Sequence, residues 1–100
     1  YFYISDLVDA LMLGGERPLS TQRLFNLGGA EEVSLNHLVG LVEETVGRQA
    51  VVEYQPARDF DAPRVLLDTT HAQTALGWQP KVLMKDGLAK TWQWMQETIL

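Results

Sequence analysis

The chain has 100 residues, 46% of them hydrophobic, with 13 acidic and 8 basic side chains for a net charge of −5, and it contains no cysteine. That size fits one small domain or a piece of a larger one, burying roughly 65% of its unfolded surface, and the hydrophobic share excludes a disordered chain. The acidic balance argues against nucleic acid or an anionic membrane as partner, the missing cysteines exclude disulfides, thiol catalysis and cysteine-based metal sites, and no apolar run approaches the ~18 residues of a transmembrane helix.

Tyr1-Phe2-Tyr3-Ile4 is rich in aromatic and β-branched side chains and predicts a strand over 1–4. An apolar start with no polar lead-in reads as a truncated chain, because domain termini are usually polar and frayed. Ser5 or Asp6 is placed to cap a helix whose apolar positions Leu7, Val8, Leu11 and Met12 recur at helical spacing, with Gly14-Gly15 as its stop. A polar stretch with Pro18 and Ser20 leads to a second predicted strand, Arg23 to Leu27, closed by Gly28-Gly29. Asp6, Asp9, Glu31 and Glu32 read as helix-start charges.

Ser34 is a good N-cap for a helix with the stripe Leu35, Leu38, Val39, Val42 and Val46, ended by Gly47. Val51 to Tyr54 and Val65 to Leu67 predict two further strands, with Pro56 ending regular pairing after the first. Asp68 is expected to cap a short helix through Leu76, stopped by Gly77. A last helix spans roughly 85–99, with Leu88, Trp92, Met95 and Ile99 on one stripe. Trp92 is expected in the core, Trp78 folded back on a helix end, and Trp94 at an interface or exposed patch. Strands separated by helices make residues 1–100 one α/β or α+β unit with no internal linker.

Few residues carry chemistry. The eight glycines offer no Gly-x-Gly-x-x-Gly or Gly-x-x-Gly-x-x-Gly for a dinucleotide pyrophosphate, so Gly14-Gly15 and Gly28-Gly29 read as left-handed turn residues. His37 and His71 have no second ligand at metal-binding spacing and read as surface residues. No catalytic, cofactor-binding or metal-ligating residue is therefore expected. Arg58 and Asp61 remain, three apart in a loop. An arginine fork matches a phosphate, which makes an anion site one reading. The other is a solvated loop whose charges pair with each other.

The ordered set Arg58, Asp61, Asp68, Leu76-Gly77-Trp78 and Pro80 resembles the C-terminal end of the extended short-chain dehydrogenase/reductases, the NAD(P)-dependent nucleotide-sugar epimerases and dehydratases. Tyr1 to Val8, Phe25-Asn26-Leu27-Gly28 and Val33-Ser34-Leu35 fall in register with the same family, so the resemblance covers essentially the whole chain. It implies a C-terminal substrate-binding lobe plus an edge strand of a Rossmann-type sheet. It implies a parent that uses NAD or NADP, with none bound to this segment, and a nucleotide-diphosphate sugar as partner.

By that resemblance Arg58 contacts the diphosphate, Asp61 hydrogen-bonds the ribose, and Arg64 is a second cation. The family's catalytic Tyr-x-x-x-Lys is missing: Tyr1, Tyr3 and Tyr54 are followed four residues on by Ser5, Leu7 and Arg58. The segment alone is thus expected to be inactive, to occupy the cytoplasm, and to self-associate through uncovered strand edges. Asp59-Phe60 replaces the usual Pro-Gly, which motivates an alternative: a non-catalytic binding or assembly module of the same fold that has lost nucleotide contact.

Overall fold

A computed structural model describes residues 1–16 and 24–100. Four helices follow in order: α1 (Ile4–Glu16), α2 (Leu35–Val46), α3 (Thr70–Leu76) and α4 (Met84–Thr98). α1 packs on α3, and α2 packs on α4.

The core forms where α1 meets α3. Ala10, Ala72, Leu76 and Trp78 are buried there, with Phe2, Leu13, Phe25 and Leu27 packed around them. Trp78 reaches this place because Gly77 ends α3 at φ 67, a left-handed turn that only glycine adopts without strain. The Trp78 N–H then bonds back to the Ala72 carbonyl at 3.3 Å, as the expected fold-back requires. The Phe2 ring meets the indole edge-on at 6.0 Å, a favourable aromatic geometry.

Asp6 locks the same corner. It is 1% exposed, inside α1, and its two carboxylate oxygens accept the backbone N–H groups of Lys81 and Val82, each at 3.1 Å. The Trp78 Nε1–H donates to the Asp6 carbonyl at 2.7 Å. Asp6 stands in the first turn of α1, as expected of a helix-start charge, and is also a clasp between chain segments far apart in sequence.

The second pair is looser. Ser34 caps α2 as predicted, its hydroxyl accepting from the His37 N–H at 3.1 Å, and Gly47 ends the helix. No side chain of α2 is fully buried, and Gly87 alone is buried in α4. Trp92 is half-buried rather than in the core, a place Trp78 takes; Trp94 is exposed, as expected. The start of α4 is held by Glu31, whose carboxylate accepts the Met84 N–H at 3.0 Å.

Other expectations need correction. α1 begins at Ile4 and runs through Gly14-Gly15 to Glu16, and neither glycine takes positive φ. It buries the Asp6–Ala10 face, leaving Val8, Leu11 and Met12 of the predicted stripe exposed. At Gly29 the reason for glycine is close approach: a Cβ there would lie 2.5 Å from the Tyr1 carbonyl oxygen. Arg23, Pro18 and Ser20 lie outside the described residues. Among those described, no strand forms at 1–4, 24–27, 51–54 or 65–67. Strand propensity expresses fit to a half-buried pleated surface, and here Leu24, Val51 and Val65 stand largely in solvent with nothing to pair against. Among the described residues the α/β expectation thus shows its helices and no strand.

The consequence is a large surface. The slab measures 49 × 39 × 19 Å with a radius of gyration of 16.5 Å, against ~13 Å for a compact domain of this length. Its accessible surface is 8196 Å², where about 5,700 Å² is usual for this mass. Among the described residues no helix is long and apolar enough to cross a membrane.

Asp6→Ala is expected to destabilise the protein by about 1.5–3 kcal/mol, since it strands two N–H groups beside a buried indole. A denaturant melt checks it, and Asp9→Ala, at an exposed position of the same helix, should change little.

Candidate functional site

The loop from Gln55 to Leu67 has no regular secondary structure and is exposed throughout. At its tip the chain reverses over four residues, with the Asp61 N–H donating to the Arg58 carbonyl at 3.2 Å. The turn brings the two side chains together. Arg58 Nε donates to Asp61 Oδ2 at 2.8 Å, and the guanidinium carbon sits 5.0 Å from the centre of the Phe60 ring. With side chains 66% and 47% exposed, the ion pair is weakly held. Arg58 and Asp61 therefore form one arrangement, a cationic fork and a carboxylate side by side and bonded to each other.

Arg64 goes elsewhere. Its Nε and Nη2 make a two-pronged pair with the Glu32 carboxylate, the Nη2–Oε2 distance being 2.6 Å. The Arg64 hydrogen bonds hold the Glu32 carboxyl below its ordinary range and raise the guanidinium in turn. The pair ties the loop to the segment before α2, a role for Glu32 that no local pattern announces, because its partner is 32 residues away.

Asp68, the expected cap, sits one residue before the observed N-cap of α3. Its Oδ1 accepts both the Thr70 hydroxyl at 2.6 Å and the Thr70 N–H at 2.9 Å, while Thr69 is the N-cap residue of α3. Those two bonds, the hydroxyl first, pull the Asp68 carboxyl below its usual value. His37 is exposed as expected. His71 is not a plain surface residue: its ring stacks on Phe25 at 4.6 Å, and its Nε2 is shut away from solvent with no partner among the described residues.

Two hollows lie beside the loop. One of about 580 Å³ opens between Tyr1, Gly28, Glu32 and the Val65–Leu67 segment. Another of about 400 Å³ is rimmed by Asp68, Thr70, Gln73 and Gln79. Arg58 and Asp61 stand outside both, so the fork is presented on a projecting loop rather than inside a cavity.

Gly14-Gly15 lies late in α1 instead of at a helix start, and Gly28-Gly29 is filled by Leu67 and by the Tyr1 backbone. No three His, Cys, Asp or Glu side chains gather in metal-holding geometry among the described residues.

Comparison with known proteins gives this arrangement a context. No family model matches the chain. It is 36% identical over 90 residues to dTDP-4-dehydro-6-deoxyglucose reductase of Escherichia coli, covering 90% of this chain and 28% of that protein. It is 38% identical over 91 residues to UDP-glucose 4-epimerase of Mycolicibacterium smegmatis, covering 91% and 29%. The fold superposes on MoeE5 in complex with UDP-glucuronic acid and NAD with a TM-score of 0.90 at 28% identity, covering 98% of this chain and 33% of that one. Both relatives are thus named for work on nucleotide sugars, the structural neighbour holds a UDP-sugar with NAD, and the similarity runs over nearly all of this chain. The chain spans about 30% of the length of the curated relatives it matches.

Asp68→Ala should lower the melting temperature at neutral pH without direct effect on nucleotide binding. Because the folded-state pKa is depressed, the stabilisation is present above the ordinary carboxylate value of about 3.9 and is lost as pH falls through the lower folded value. Melts of the two proteins from pH 7 down to pH ~3 should therefore converge at the acid end; a gap that stays constant contradicts the bonding described.

Proposed function

We propose that this chain is the C-terminal, substrate-side portion of an NAD(P)-dependent nucleotide-sugar epimerase, dehydratase or reductase. Arg58 holds the diphosphate of the nucleotide sugar, Asp61 accepts hydrogen bonds from its ribose hydroxyls, and Arg64 is a lesser second cation. The observation that carries this reading is the turn itself: a guanidinium and a carboxylate 2.8 Å apart on an exposed loop. The two groups fit the two ligand parts: a planar fork for phosphate oxygens, and an acceptor for a pair of hydroxyls. Relatives and neighbours named for dTDP- and UDP-sugars support the ligand class.

Binding on this account is an exchange of partners. A diphosphate takes the Arg58 fork from Asp61, and the carboxylate so released turns to the ribose. Arg64 is harder to recruit, since its fork already has a two-pronged partner in Glu32. The chemistry on the sugar, and the NAD(P) it needs, we assign to the remainder of the protein. By this reading the segment alone binds no NAD(P) and converts no sugar.

The closed Arg58–Asp61 pair, with Asp59 adding a third charge to the turn, also favours a second reading: a binding or assembly module of the same fold that no longer contacts nucleotides.

Titration of UDP- and dTDP-sugars against the full-length protein separates the two. On the first reading Arg58→Ala raises Kd about 10–150-fold, the weight of one charge-assisted contact. Unchanged affinity sinks the phosphate role of Arg58 and leaves the second reading standing.

A further inference from the structure

Phe60 is 80% exposed at the third position of the Arg58–Asp61 turn, where apolar burial gives no reason for an aromatic ring. The Arg58 guanidinium lies 5.0 Å from the centre of its ring, inside the ~6 Å range of a cation–π contact. The guanidinium is therefore held from two sides, by the ring and by the Asp61 carboxylate. The two holds differ in what a ligand does to them. A phosphate carries negative charge and displaces a carboxylate from the fork, since both compete for the same N–H groups. An aromatic face offers no lone pair to those N–H groups in the plane of the fork, so it stays in contact while the fork's edge is occupied.

We propose that Phe60 is a positioning residue for the diphosphate: it keeps the Arg58 fork over the turn when Asp61 lets go. The inference rests on the reading of Arg58 given above. It adds that Phe60 acts on the phosphate-bearing part of the ligand and not on the nucleoside. An arginine side chain freed of its one anionic partner would otherwise regain most of its rotamer freedom, and ordering it again costs ligand affinity. A ring that is already in place lowers that cost. Because Phe60 touches the protein so little, removing it should not disturb folding.

The test uses the full-length protein and two probes, UDP and uridine, titrated by calorimetry against wild type, Phe60→Ala, Phe60→Tyr, Arg58→Ala and the double variant Arg58→Ala/Phe60→Ala. Phe60→Ala should raise Kd for UDP about 2–5-fold, the worth of one exposed cation–π contact, and leave Kd for uridine unchanged. Phe60→Tyr, which keeps the ring face, should bind UDP like wild type. In the Arg58→Ala background the loss of Phe60 should add nothing, because the two act as a unit. Unchanged UDP affinity in Phe60→Ala, an equal loss for uridine, or a loss that persists without Arg58 would overturn the positioning role. If Arg58→Ala weakens UDP while Phe60→Ala does not, this inference alone fails. If Arg58→Ala itself has no effect, the phosphate reading fails and takes this inference with it.

Discussion

The fold depends on one buried clasp. Trp78 donates its indole N–H to the carbonyl of Asp6, 72 residues earlier, and the Asp6 carboxylate accepts two backbone N–H groups just beyond, at Lys81 and Val82. Closing a flexible loop of that length costs about 4 kcal/mol plus a constant. Burying one indole contributes about 4–6 kcal/mol, so the apolar contact alone roughly breaks even and the three hydrogen bonds decide. A carboxylate suits the task because it can accept from successive amides, and a buried amide left without an acceptor is expensive. The rest follows from this fixed corner. α1 and α3 share the core that Trp78 fills, and the chain leaving Val82 enters α4, whose start is held by Glu31.

Around that corner the molecule is incompletely covered. Its surface exceeds what its mass calls for, and Leu24, Val51 and Val65 of the predicted strands stand largely in solvent. The exposed loop that carries Arg58 and Asp61 belongs to the same open region. This bears on the proposed function: a fork proposed to hold a nucleotide diphosphate gains strength when water and competing charges are excluded around it, and an open loop does not exclude them.

Much of this was legible in local sequence. Ser34 and Gly47 bound α2, Gly77 stops α3, and Leu76-Gly77-Trp78 folds back because a cap, a left-handed glycine and an apolar residue act within a few positions of one another. Arg58 and Asp61 could be paired on paper for the same reason, being three apart in one turn. What stayed hidden depends on distant partners. Asp6 is a helix-start charge locally, but its burial depends on Trp78 and Val82, and the place of Glu32 depends on Arg64. The predicted strands do not form among the described residues for the same reason seen from the other side. Their composition favours a pleated, half-buried surface, but a strand exists only when a neighbour supplies the ladder. The resemblance read from Leu-Gly-Trp-x-Pro and its companions reached further than periodicity did, since an ordered set of caps and turns identifies an arrangement that single elements cannot.

The central claim is that the turn at Arg58–Asp61 is a nucleotide-diphosphate site. A crystal structure of the full-length protein with NAD and a UDP-sugar tests it most directly. The account predicts diphosphate oxygens within hydrogen-bond distance of the Arg58 fork, ribose hydroxyls on the Asp61 carboxylate, and the 2.8 Å bond between the two side chains opened. A nucleotide bound elsewhere, with Arg58 and Asp61 still closed on each other, would contradict it.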